Sequence, residues 1–504
     1  MPPSRSTPPA PVPGASVDRF RPRSRRPELH RQERWTLFWV ALHLCFLPWA
    51  LGTMHLWSQS VSLGLAVLGF VVAAQPRVYT DFFTAGDSVL VRPLQRLWRF
   101  PLFWCGLLAL LYIVVQGLNP TWRYRVNTSY WWLEYAYPVT WLPSGMEVPV
   151  QAAGPWRSLL VHASLWLTLC TVWIGIMRRQ AFRLLFLALV VNGVLLALLG
   201  LAQQLTQATG IFWQVKVSSA SFISSFIYRN HAGAYFNLLL ALAAGLAWWS
   251  FVRSNRRFEK SSPAGVFVFA AAVIGTMVLF SLSRGSILTM VVLAGSVGLA
   301  FVFAQTREPA HQRNNLALLL LFGLVAVFVG VGLYSLKVEK VVARFEDLIE
   351  DPVASAADRT AAHTAAAKML AARPLLGWGA GCFRYGFPDY ARHHPEIYYA
   401  GTNTRRFWEH AHNDILQYPI EFGLVGLTPL VAGLAWLGWQ LARRRFWANP
   451  LALPATIGAG LTVVHAWGDF VFQNPAVLLT WAVLLLAAGR WAELDQQSGD
   501  RETR

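Results

Sequence analysis

The sequence predicts an all-α polytopic membrane protein with about twelve transmembrane helices, and three observations predict it. The chain of 504 residues is 55% hydrophobic and only 13% charged, too little charge to cover a soluble body of that size. Apolar stretches of roughly 17–25 residues, the length that crosses about 30 Å of hydrocarbon, recur from end to end. Basic residues sit in short clusters between those stretches and not on one domain. The net charge of +18 therefore reads as membrane-orienting charge, with no nucleic acid as partner and the lipid bilayer as solvent.

Residues 1–35 are rich in Pro and Arg, with no hydrophobic stretch before Trp35. They read as a disordered basic cytoplasmic tail and not as a cleaved signal peptide. Spans are expected near 36–52, 56–75, 101–117, 158–177, 182–205, 231–252, 264–283, 285–305 and 315–335. Three more are expected near 422–441, 451–470 and 474–490. Region 36–335 thus holds nine spans, 336–421 is an extracytoplasmic segment, 422–490 holds three spans, and 491–504 is a second cytoplasmic tail.

Alternate loops sort by charge. One set holds the Arg19–Arg26 tail, Arg92/Arg96/Arg99, Arg178/Arg179/Arg183, Arg253/Arg256/Arg257/Lys260, Arg307/Arg313 and Arg443/Arg444/Arg445. These basic loops belong in the cytoplasm, which with an even number of spans puts both termini inside. The other set holds a Trp/Tyr-rich loop at 118–157, a segment near 206–230, the turn Ser283–Ser286, the stretch 336–421 and a turn near 471–474. Trp122, Tyr124, Tyr130, Trp131, Trp132 and Trp141 suit an interfacial belt, or alternatively a sugar-stacking platform. Within 336–421, Ala356–Ala372 reads as a helix that Pro374 and the Gly377–Gly381 cluster terminate. The glycine run GWGAGCF is read as a tight turn, because no βα unit precedes it.

The cysteines offer no chemistry. Cys45, Cys105 and Cys170 lie in apolar segments and Cys382 stands alone, with no CxxC or zinc spacing.

The residues with chemical potential fall on the outer side. Arg284, in SLSRGSILT, sits where two apolar helices meet, a costly place unless the guanidinium snorkels or pairs with an anion. Arg229, Asn230 and His231 open another span; the plain account is a polar helix start capped by Asn230. Arg359, in ADRTAAHTAAAKM, would on a soluble helix pair with an acid such as Asp358. Taken together, three outward arginines suit phosphate oxygens, which a guanidinium fork grips bidentately. His412, in EHAHNDILQ, precedes the tenth span, and imidazole accepts a hydroxyl proton near neutral pH. Its ordinary alternative is an interfacial histidine bonded to backbone. His410 and His412 form an H-x-H pair, but no third ligand stands at metal spacing, so no metal is expected. Asp469 sits at the outer end of the eleventh span with His465 one turn earlier, and an acid there is either functional or paired for packing.

The chain resembles the O-antigen ligase and O-antigen polymerase superfamily over roughly 200–490. His412-Asn413, a gap of nine residues and then Gly423-Leu424-Val425-Gly426 is similar to the ligase signature. Arg284-Gly285-Ser286-Ile287-Leu288 resembles the family's Arg-x-x-x-Leu element, RNHAGAY a shortened form of its Asn-His-x-x-Gly segment, and the stretch from Arg359 to RPLLGWGAGCFRYGF the approach to the histidine. The resemblance implies a GT-C-like inner-membrane glycosyltransferase, inverting and independent of metal or other cofactor, with its site on the periplasmic face. It implies a polyprenyl-diphosphate-linked glycan as donor and a glycolipid or glycan, lipid A-core or similar, as acceptor. Arg229, Arg284 and Arg359 would then cradle the diphosphate and His412 would take the acceptor proton. His231 and Asn413 would contact substrate, and Asp469 would orient a partner.

Ligation, chain polymerisation and transfer to protein stay open within that class. A polymerase must hold a second lipid-linked glycan, so another outer arginine cluster would favour it; Arg392 and Arg405/Arg406 leave room for one. From another class, a lipid or glycan transporter would call for ionisable residues at the bilayer midplane, whereas the charges here gather at membrane edges.

Overall fold

The computed structural model describes residues 29–80, 88–217, 222–256, 261–307, 352–399 and 407–502. A helix occupies every expected span within those residues; the ninth, near 315–335, lies outside them, as do Arg405 and Arg406. The helices are α1 (Arg31–Trp49), α2 (Leu56–Ala73), the short α3 (Pro93–Trp98), α4 (Pro101–Leu118), α5 (Pro155–Gly175), α6 (Arg179–Leu205), α7 (Arg229–Arg256), α8 (Ala264–Phe280) and α9 (Arg284–Arg307). After the undescribed stretch come α10 (Pro352–Ala372), α11 (Phe383–Ala391), α12 (Pro395–Tyr398), α13 (Asp414–Arg443), α14 (Ala452–Gly468) and α15 (Pro475–Glu502). Eight of these are long and apolar enough to cross a membrane: α2, α4, α5, α6, α7, α9, α13 and α15. The protein is a multi-pass membrane protein.

Local sequence sets the helix starts. Proline opens α3, α4, α5 and α15, where its fixed φ suits the first turn and its missing N–H costs nothing. Asn413 caps α13, its side chain accepting from Leu416 N at 3.1 Å. The start of α6 is capped from a distance: buried Glu33 accepts from Met177 N and Arg178 N, placing a carboxylate at the positive end of that helix. Of the eight long apolar helices, α7 and α15 are the most buried and α9 the least.

The bundle is not purely helical. Strands β1 (Arg77–Thr80) and β2 (Ser88–Val91) pair antiparallel. The Trp/Tyr loop folds into a three-stranded sheet, β3 (Pro120–Val126) between β4 (Trp131–Tyr135), antiparallel, and β5 (Gly145–Glu147), parallel. Two-residue alternation explains it. Trp122 and Tyr124, with Leu133, face Tyr385 and Cys382 of the segment that begins α11, while Arg123 and Arg125 face outward and pair with Glu147 and Glu134. Asn127 supplies the hairpin turn, accepting from Ser129 N and Tyr130 N. Trp122 and Tyr124 are therefore partly buried against this small cluster, while Tyr130, Trp132 and Trp141 stay exposed.

The tenth expected span also starts earlier than 422. Helix α13 begins at Asp414 and breaks at Gly423, whose φ of 64° and ψ of 176° are not helical. The residues after α10 pair with that break: Trp378 N donates to Ile420 O, Gly379 N to Glu421 O, Leu424 N to Pro374 O and Val425 N to Leu375 O. A Cβ at Gly423 would lie 2.3 Å from Leu375 O, and one at Gly426 would lie 2.5 Å from Tyr112 Cε1. The two glycines of the signature thus let the 374–379 strap and α4 close on α13.

Candidate functional site

The start of α7, the segment before α13 and the residues just past α14 meet around one aromatic plate, Phe470. Tyr228 and His410 stack on it with centroids at 5.0 and 4.5 Å, and His231 and His412 meet it edge-on at 5.0 and 4.7 Å. Phe470 follows Asp469, and these two residues alone join the end of α14 to a 3-10 turn at Val471–Gln473.

His412 is held in the left-handed region, φ 51°, where a residue with a Cβ is strained and persists only because its surroundings over-determine it. Those surroundings are visible. His363 Nε2 donates to His412 O at 3.4 Å, and Gln417 accepts from Ala411 N at 2.9 Å while donating to Glu421 at 2.9 Å and to His410 Nδ1 at 3.2 Å. His412 Nδ1 lies 3.7 Å from Asp469 Oδ1, an ion-pair distance too long for a hydrogen bond.

Asp469 is buried and heavily engaged. Its Oδ2 accepts from Asn230 Nδ2 and, at 3.4 Å, from the Tyr228 hydroxyl; its Oδ1 accepts from Phe470 N at 2.8 Å. Burial opposes the charge, but the adjacent His412, reinforced by His465, outweighs burial and holds the carboxyl below the ordinary carboxylate range. Burial, then the Asp469 charge, push the Tyr228 hydroxyl up, so Tyr228 stays protonated. Burial and the Arg384 guanidinium drive His410 well below the usual histidine range, and burial lowers His363 as well.

The expected site residues come together to different degrees. His412, Asp469, Asn413 and His231 share this cluster, and Arg359 reaches it from α10, donating Nη1 to Gly468 O at 3.2 Å. Asn413 is buried as the cap of α13, and both ring nitrogens of His231 are engaged, Nε2 by Phe470 O at 3.1 Å and Nδ1 by Asn474 Nδ2 at 3.5 Å. Asn230 does not cap α7; it lies inside the helix and binds Asp469 instead. Arg229 is half-buried at the start of α7, and with Arg359 acts on Tyr228. Arg284 opens α9 beside Gly285, where a Cβ would lie 2.8 Å from His465 Nε2, so that helix start abuts the end of α14. Among the described residues, no group of three or more His, Cys, Asp or Glu is placed to hold a metal ion.

Four residues of the site escaped the sequence reading: Phe470, Tyr228, His363 and Gln417. His363 alone left a signal, standing four residues after Arg359 on one helix face.

Residues 269–431 match a family model described as O-antigen ligase. Over those residues, about a third of the sequence, the chain is similar to the O-antigen ligase family. No curated protein matches the chain. The O-antigen ligase match runs from within α8 into α13, so it takes in Arg284, Arg359, His363, His412 and the Gly423 break. Asn230, His231 and Asp469 lie outside it, yet Asp469 faces His412, Asn230 binds Asp469 and His231 shares the Phe470 ring with His412.

Proposed function

We propose that this protein is a glycosyltransferase that moves a glycan from a polyprenyl-diphosphate donor to an acceptor hydroxyl at the periplasmic face of the bacterial inner membrane. The observation that carries this reading is the 3.7 Å approach of His412 Nδ1 to the buried, anionic Asp469. A carboxylate on Nδ1 orients the ring and stabilises the imidazolium, which leaves Nε2 to accept the acceptor's proton. The acceptor oxygen attacks the anomeric carbon with inversion, and the bond to the lipid diphosphate breaks with its electron pair leaving on phosphate. Arg284, Arg229 and Arg359 neutralise that developing charge, and this electrostatic assistance suffices for a diphosphate leaving group without a metal. Tyr228 and Asn230 keep Asp469 in place; His231 and Asn413 brace the helix ends that carry the site.

The test is transfer by the full-length protein reconstituted with a prenyl-diphosphate glycan and an acceptor. His412→Ala should insert normally and lose most of its transfer rate; full activity in that variant removes His412 as the base. Deleting the gene separates the two members of the superfamily: accumulated long lipid-linked chains mean a ligase, accumulated single repeats a polymerase.

A further inference from the structure

A second cationic place lies next to the His410–His412 loop. Arg384 is the second residue of α11, and the turn before it abuts the start of α5: a Cβ on Gly381 would fall 2.8 Å from Gly154 N and 2.9 Å from Ser158 Oγ. The Arg384 side chain is 19% exposed. Its Nη1 lies 3.5 Å from Glu409 Oε1, a carboxylate mostly in solvent, and its Nε is buried with no hydrogen-bond partner among the described residues. Arg157, in the first turn of α5, is held by three neutral oxygens, Gln59 Oε1 at 3.0 Å, Gln151 O at 2.9 Å and Met54 O. The two guanidinium groups are within electrostatic reach of each other, and the charge of Arg384 also acts on His410. A buried N–H without an acceptor, next to a second cation, is a costly arrangement that an oxyanion would relieve. Glu409 does not relieve it: the contact is long, exposed and on the wrong nitrogen. Aromatic rings flank the place. Trp131 stacks on Tyr124 and meets Tyr385 and exposed Phe407 edge-on at 6.4 and 6.3 Å.

We infer that Arg384 and Arg157 form a second oxyanion subsite, which binds a phosphate carried by the acceptor while the Trp131–Tyr385–Phe407 wall receives its sugar. This rests on the glycosyl-transfer reading for its purpose, since it gives the second substrate a handle beside the loop that bears the base. The phosphate belongs either to a phosphorylated glycan or to a second prenyl-diphosphate chain.

The experiment is calorimetric titration of the full-length protein, in nanodiscs of zwitterionic lipid, with inorganic pyrophosphate. Two classes of site are expected. Arg384→Gln should weaken one class by about tenfold or more and spare the other, which Arg284→Lys should weaken instead. Glu409→Gln should tighten the Arg384 class about two- to fivefold, a gain that damage to the fold does not produce. An Arg384→Gln titration that superimposes on wild type overturns the proposal; if that variant does not fold, an unchanged Glu409→Gln titration overturns it alone. Displacement of the Arg384-class pyrophosphate by a saccharide 1-phosphate identifies a phosphorylated glycan, and displacement only by a prenyl diphosphate identifies a second lipid-linked chain. None of these readouts requires transfer, so a protein with two pyrophosphate sites and no transferase activity would sink the functional reading and leave the subsite in place.

Discussion

Asp469 touches both His412 and Asn230, bringing a loop before α13 and the first turn of α7 onto one carboxylate. The contact with Asn230 spans 239 residues of chain. Because the carboxylate is buried and charged, each partner is needed to keep it so, and substitutions around it should act on chemistry and stability together.

His412→Ala should lower the transfer rate by about 10²–10⁴-fold, the usual contribution of a positioned base. Asp469→Asn keeps the shape but removes the charge that faces Nδ1, so its loss should begin at about tenfold and approach that of His412→Ala. Single-turnover rates with donor and acceptor both saturating check the pair, and equal activity of Asp469→Asn and wild type would separate Asp469 from the mechanism.

Asp469 also sets an acid limit. Its carboxyl is depressed in the folded protein, so the unfolded chain takes up a proton first as the pH falls. The stability it supplies is complete above the ordinary carboxylate range, about pH 4, and is lost as the pH falls toward the lower folded value. Thermal melts should show Asp469→Asn less stable than wild type at pH 7, with the gap closing as the buffer is taken below about pH 4. A gap that widens on acidification would contradict the assignment.

Arg359 and His363 occupy one face of α10 and hold two different backbones, Gly468 O and His412 O. Removing either should loosen the same junction. The double variant Arg359→Ala/His363→Ala should therefore melt higher than the sum of the single losses predicts, with a coupling of about 0.5–3 kcal/mol. Strict additivity would mean the two contacts are independent.

Gly423→Ala should destabilise the protein by more than about 1 kcal/mol, because alanine meets both a positive φ and the Leu375 carbonyl. The same change at Gly438, where a Cβ meets nothing within 4 Å, is the control and should be neutral or stabilising. Proteolysis of the 374–379 strap would report the difference.

The helices were legible in the order of residues, because bilayer thickness imposes a length and a polarity that any single span displays on its own. The helix of α10 and the turn at Gly377–Gly381 could likewise be read locally, from an alanine-rich run followed by Pro374 and glycines. Arg284 and His412 announced themselves as polar groups at the ends of apolar runs, and Arg359 as an arginine on a helix of the outer segment. The sheet of β3–β5 did not: alternation in the Trp/Tyr loop was masked by rings that suit a membrane interface equally well. The pairing of Asp469 with His412, the use of Asn230 as a brace rather than a cap, and the Phe470 plate depend on helix ends converging from distant parts of the chain. Which ends converge is settled by how side-chain volumes pack across the whole bundle, a property of all the helices at once that no local stretch encodes.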